Sequence, residues 1–130
     1  LRYSVECNRL QPLAWGAAGH AILAFLPDAE IAQVIEQKDA SPLGRKPLPP
    51  EQLRKSLART REAGYAASFG QRAEDMHGIA VPFFDRAGQV RGNILLNIPH
   101  FRFRPEREQV YVQLLRKAAH ELQRRMGWSG

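Results

Sequence analysis

The stretch from Gly78 to Asn97 constrains this chain more than any other. Two extended runs, Gly78 to Phe84 and Gln89 to Asn97, are joined by Asp85-Arg86-Ala87-Gly88, a turn with Asp first and Gly last. So short a connection permits only an antiparallel hairpin, because a parallel pair needs a crossover of a dozen or more residues. Ile79 to Phe84 is apolar on both faces, which predicts a central strand covered on both sides. The second run alternates: Val90, Gly92, Ile94 and Leu96 share one face, and Arg91, Asn93, Leu95 and Asn97 share the other. A sheet of this kind needs helices to cover it, so the expected class is α/β in the α+β sense, an antiparallel sheet flanked by helices.

The rest of the chain supplies those covers. Leu1 to Cys7 alternates and predicts a further strand. The small-residue run Ala14 to Gly19 leads into Ala21 to Leu26, which reads as a buried helix. Asp28 and Glu30 open a second, short helix with Ile31, Val34 and Ile35 as its stripe. Four of the nine prolines (Pro42, Pro47, Pro49, Pro50) mark Ala40 to Pro50 as a surface loop. A helix from about Glu51 to Ala63 follows, closed by Gly64, and Tyr65 to Phe69 reads as a short strand. Pro105 opens a long helix that ends at Gly127, with a predicted inward stripe of Tyr111, Leu114, Leu115, Ala118, Leu122 and Met126. With 130 residues and 44% hydrophobic content, residues 1–130 are expected to form one domain.

Several function classes find no support in these residues. The longest apolar run, Ala21 to Leu26, is too short to cross a bilayer, and Cys7, the only cysteine, has no partner for a disulfide. A cytoplasmic protein with no membrane partner is the expectation. The net charge of +6 raises the question of nucleic acid, but +4 of it lies from Arg102 onward. A solvated helix face accounts for that, with the basic residues expected not to interleave with exposed aromatics. His20, His77, His100 and His120 are too widely spaced for a metal motif, although His77 and His100 flank the hairpin and can approach each other. Gly16 and Gly19 precede a helix without the lysine of a phosphate-binding loop. They leave either helix N–H groups for a small carboxylate or simply small residues that allow close packing. No nucleophile elbow is visible, so no enzyme, cofactor or metal is expected.

Three stretches, in order, resemble the C-terminal effector-binding domain of regulators of the isocitrate lyase regulator (IclR) family. They are GAAGHAILAFLPDAE within and beyond Leu13 to Pro27, REAGYAASFGQR from Arg61 to Arg72, and GIAVPFFDRAGQVRGNILLNIP from Gly78 to Pro99. The resemblance implies a GAF-like fold, incomplete at its N-terminal side, without the family's winged helix-turn-helix. It also implies a pocket for a small organic acid or aromatic metabolite between the sheet and the loop entering the first helix. Carried over by position, the loop contacts are Trp15, Ala17 and Ala18, and the sheet contacts are Ser68, Gly78, Leu95 and Asn97. His20 stands where Lys or Arg is usual, Ser68 where an acidic residue is frequent, Gly78 where Cys is common, and Leu95 with Asn97 where two serines are common.

These departures imply a smaller, more apolar pocket oriented by Asn97 and Ser68, for a ligand with an apolar body and one polar or carboxylate end. The other outcome is a pocket filled by Trp15 and Leu95. Self-association as a dimer or tetramer, and DNA contact only through the absent N-terminal domain, follow from the same resemblance. Two rivals remain: a GAF-type sensor module of another signalling protein, and an enzyme using His20, His77 or His100.

Overall fold

The computed structural model describes residues 13–128. The strand expected over Leu1 to Cys7 lies outside them. The order of elements is α1 (Gly16–Leu23), α2 (Asp28–Gln37), α3 (Pro50–Ala63), β1 (Ala66–Phe69), β2 (Met76–Phe84), β3 (Val90–Pro99) and α4 (Glu108–Arg125), with two single 3-10 turns before α4.

Among the described residues the sheet has three antiparallel strands in the order β1-β2-β3. The hairpin turn is held by its aspartate. Asp85 Oδ1 accepts the N–H groups of Ala87 (2.9 Å) and Gln89 (3.1 Å), and the Gly88 N–H donates to the Asp85 carbonyl at 3.0 Å. The middle five residues of β2, Gly78 to Pro82, are buried, as a strand with neighbours on both faces must be.

The two faces of the sheet are covered differently. On one, Ala17 and Ala21 of α1 meet Ala66 and Ala80 in a cluster made of alanines alone, which brings the helix backbone close to the strands. On the other, Val112, Leu115 and Ala119 of α4 pack on Ile79, Val81 and Ile98. A third apolar cluster joins Leu23 and Ala24 at the end of α1 to Ile31 of α2 and to Leu53 and Leu57 of α3. Helix α3 ends at Gly64, whose φ of +80° is the left-handed cap expected there.

The inward face of α4 differs from its sequence prediction. Leu114 is 63% exposed and Met126 54%, and Ala118 is also exposed, whereas Val112, Leu115 and Ala119 are buried. The stripe is rotated because two rows of apolar residues run along this helix. The sheet selects the row whose smaller members, Val112 and Ala119, fit against Ile79 and Val81.

Candidate functional site

The strand register assembles most of the candidate site. Ser68 of β1 lies opposite Gly78 of β2, and Gly78 lies opposite Asn97 of β3, so three candidate residues form one row across the sheet. Leu95 pairs with Ala80 two residues along the same face. Helix α1 lies over this face, and Ala17 reaches the row.

Gly78 shows how closely they meet. A methyl group placed there would lie 3.1 Å from Ser68 Oγ, 3.3 Å from Ala17 Cβ and 3.7 Å from Asn97 Oδ1. The missing side chain lets Ala17 and Ser68 approach this strand closely. A side chain at this position would press on Ser68 and Ala17, which would have to give by a few tenths of an ångström.

Polar contacts fasten the start of α1 to the strands. The Ala17 N–H donates to Ser68 Oγ at 3.0 Å, and the Gly16 N–H donates to Gln71 Oε1 at 2.7 Å. Arg72 Nε donates to the Trp15 carbonyl at 2.8 Å, and Asn93 Nδ2 donates to the Ala18 carbonyl at 3.1 Å. Two of the four amide donors that a helix N-terminus leaves open therefore already have oxygen acceptors. Gly16 has φ +82° and packs on the Arg72 side chain, so the chain turns sharply into the helix at the point where Arg72 holds it. Burial pushes the Arg72 guanidinium below its ordinary value.

Trp15 is buried, but its ring is directed elsewhere in part, since its indole N–H donates to the Asp39 carbonyl at 2.8 Å. It anchors the loop after α2. Leu95 is 42% exposed, so its side chain does not plug an enclosed cavity, and Asn97 is exposed beside it. The structure thus brings Ala17, Ser68, Gly78 and Asn97 together, with Ala18 and Leu95 at the margin and Trp15 behind the loop.

Gln71, Arg72 and Asn93 also belong to this arrangement and were not among the candidates. Asn93 was legible, because alternation places it on the face of Leu95 and Asn97. Gln71 and Arg72 follow β1 in a loop, and no periodicity indicates where a loop side chain points.

His20 locks the same region from beneath. Its Nε2–H donates to the Ala14 carbonyl at 2.7 Å, and its Nδ1 lies 3.5 Å from Ser56 Oγ on α3. Burial, opposed by the Ala14 contact and assisted by the nearby Arg72 charge, lowers its pKa. The imidazole acts here as a neutral bridge between loop and helix.

His77 and His100 do approach each other, with Nε2 and Nδ1 2.9 Å apart. The His77 ring stacks on Phe103 (3.7 Å between centroids) and on Phe69 (4.3 Å). Partial burial, then the neighbouring His100, lowers the His77 pKa. Among the described residues no three His, Cys, Asp or Glu side chains are placed to hold a metal ion. One expectation about charge is corrected: Phe101 is 71% exposed and the Arg102 guanidinium sits 5.7 Å from its ring, so basic and aromatic residues do interleave after β3. Glu106 and Glu108 offset most of that local charge.

Comparison with known proteins places this geometry in a family. The family described as bacterial transcriptional regulator IclR C-terminal matches residues 1–124. The HTH-type transcriptional regulator KdgR of Escherichia coli is 33% identical over 129 residues, which cover 98% of this chain and 49% of KdgR. The chain spans about half the length of the curated relatives it matches. The crystal structure of the C-terminal domain of E. coli KdgR is similar with a TM-score of 0.79 at 34% identity, over 90% of this chain and 72% of that one. An IclR-type regulator from Silicibacter has the same fold, with a TM-score of 0.89 at 24% identity over 98% of this chain and 50% of that one. The inducer-binding domain of PobR from Acinetobacter, a double mutant solved with 3-hydroxybenzoic acid, has a TM-score of 0.73 at 23% identity over 87% of this chain and 68% of that one. Matched by its family along nearly all its length, and one third identical to KdgR, the protein belongs to the IclR family of bacterial transcriptional regulators and carries their C-terminal region.

Proposed function

We propose that this chain is the effector-sensing part of an IclR-type regulator and that a small organic acid or aromatic carboxylate binds where α1 enters the sheet. The observation that supports this most is the row Ser68–Gly78–Asn97, crossed by the start of α1 at Ala17. Few polar groups converge there. Asn97 offers an amide, Ser68 a hydroxyl and Gln71 an amide, beside the exposed aliphatic surface of Leu95. That combination suits a ligand with an apolar body and one carboxylate end. The 3-hydroxybenzoic acid bound by the PobR domain is of that class.

The mechanism follows from the contacts already made. Ser68 and Gln71 accept the N–H groups at the start of α1, so a carboxylate entering there competes with them for the same donors. A ligand that binds better when α1 is released shifts the population toward that arrangement. Coupling to DNA would run through an N-terminal helix-turn-helix domain and a dimer or tetramer of the whole regulator in the cytoplasm, with this region neither reading DNA nor catalysing a reaction. The family match favours this reading over a sensor module of another signalling protein.

Isothermal titration against a panel of small keto acids and aromatic carboxylates tests the site. A ligand is expected whose affinity falls about tenfold or more in Asn97→Leu, which removes a polar group facing the ligand. If Asn97→Leu leaves binding intact, the assignment of this row is wrong.

A further inference from the structure

A concavity lies beside the C-terminal half of β2. Strand β1 has only four residues and pairs with β2 from His77 to Ala80, so among the described residues β2 from Val81 onward has no strand on that side. The edge is managed by other means. Pro82 has no N–H to leave unpaired, and the Phe84 N–H donates to Gln123 Oε1 of α4 at 2.9 Å. Between this bare edge, α4 and Phe25 after α1 is a cavity of about 320 Å³.

Its floor is apolar: Val81, Pro82 and Ala119 are buried, and Phe25 meets Phe84 edge to face with centroids 5.3 Å apart. Its rim is polar, and among the described residues that line it none is a carboxylate. Arg116 is positioned by one hydrogen bond, from Nη2 to the Ala63 carbonyl at 2.8 Å, which leaves most of its five donors unused. Gln123 spends its oxygen on Phe84 and keeps its amide N–H groups, and among the described residues His120 has no hydrogen-bond partner.

The fixed positive charge of Arg116 over a hydrophobic floor, flanked by two further donors, selects one class of ligand. We propose that this cavity is an accessory binding site for a small carboxylate with an aromatic or branched aliphatic body. The apolar body lies on Val81 and Pro82, and the carboxylate faces Arg116, with Gln123 and His120 as secondary donors. The volume is at the lower end of the range for ligand pockets, which restricts the body to about one ring. The site is distinct from the row at Gly78, which lies roughly 13 Å away along the strand at 3.3 Å per residue. A ligand here would brace α4 against the sheet edge and against the end of α1.

Benzoate is the probe, with benzyl alcohol as the neutral analogue carrying the same ring. In ¹⁵N–¹H spectra of the 130-residue chain, benzoate is expected to produce saturable shifts at Val81 to Phe84 and Arg116 to Gln123, with benzyl alcohol about tenfold weaker. Arg116→Met, which retains the aliphatic stem, should weaken benzoate about tenfold. His120→Glu, at an exposed position that leaves the fold undisturbed, should do the same by charge. Asn97→Leu should leave these shifts unchanged, which separates this site from the effector site proposed above. The proposal is overturned if benzoate at on the order of 10 mM gives no saturable shift at these residues. It is equally overturned if the two probes bind alike, or if His120→Glu leaves the benzoate affinity unaltered.

Discussion

At the scale of single residues, His20 carries more of the architecture than its sequence position indicates. It occupies a site where the resembled pattern has a permanent cation, yet here it is buried, donates to Ala14 and faces Ser56. Because burial lowers its pKa in the folded chain, the neutral form is the one the fold prefers. The sign follows: its stabilising contribution is present above the ordinary imidazole value of about 6.5 and is lost as pH falls below that value. His77 is shifted in the same direction and adds to the effect. Urea denaturation at a series of pH values from 7 down to 5 should show stability falling, with a shallower slope in His20→Gln than in the parent. An unchanged slope in that variant would assign the dependence to His77 or to other groups. Gly78 is the complementary case, a residue important for what it lacks, since its missing side chain leaves room for Ala17 and Ser68 against the strand.

At the scale of elements, α4 separates pattern from packing. Its two apolar rows are both compatible with a helix lying on a sheet, and the row that contains Leu114 and Met126 faces outward. Leu115 is buried against Ile79, Val81 and Ile98. Leu115→Ala should therefore cost about 2–5 kcal/mol by the lost contacts and the cavity left behind. Leu114→Ala should change stability by less than about 0.5 kcal/mol. Thermal or chemical denaturation of the two variants side by side checks the rotation of the helix directly, and equal losses would contradict it. Helix α1 differs in kind. Its alanines gain little from burial individually, and its placement depends on the backbone donors held by Ser68 and Gln71 and on the amide of Asn93. The start of α1, fastened by exchangeable hydrogen bonds, is the part a ligand can release, while its end stays anchored through Leu23 and Ala24.

At the scale of the whole molecule, the two clusters divide the work. The core between α4 and the sheet is continuous and aliphatic, whereas α1 links the sheet to the separate cluster with α2 and α3. For a single site, a ligand present at about a hundred times its Kd should add about 2.7 kcal/mol. In a chain of this length that corresponds to a rise of roughly 10 °C in the thermal midpoint. Differential scanning fluorimetry of the parent and of Asn97→Leu should show the rise only in the parent. A rise of the same size in both would place the binding elsewhere. The charge of +6 makes no comparable claim, because the exposed arginines are spread over α3, the segment after β3 and α4 rather than gathered on one surface.

Local order is legible in the amino-acid sequence alone. The Asp85 to Gly88 turn, the covered central strand, the alternation that puts Leu95 and Asn97 on one face and the glycine that ends α3 all follow from interactions between residues a few positions apart. Backbone sterics and hydrogen bonding determine those within the element itself. The sequence pattern also carried the resemblance to the IclR family, and with it the residues that form the row across the sheet. What only the tertiary structure decided involves partners distant in the chain. Examples are which apolar row of α4 turns inward, how Gln71 and Arg72 reach back some 55 residues to the start of α1, and that β1 stops short and leaves an edge for Arg116 to overlook. Each depends on the shape of a surface that does not exist until the strands have paired. Periodicity identifies which residues can be buried, and only the surface they meet selects among them.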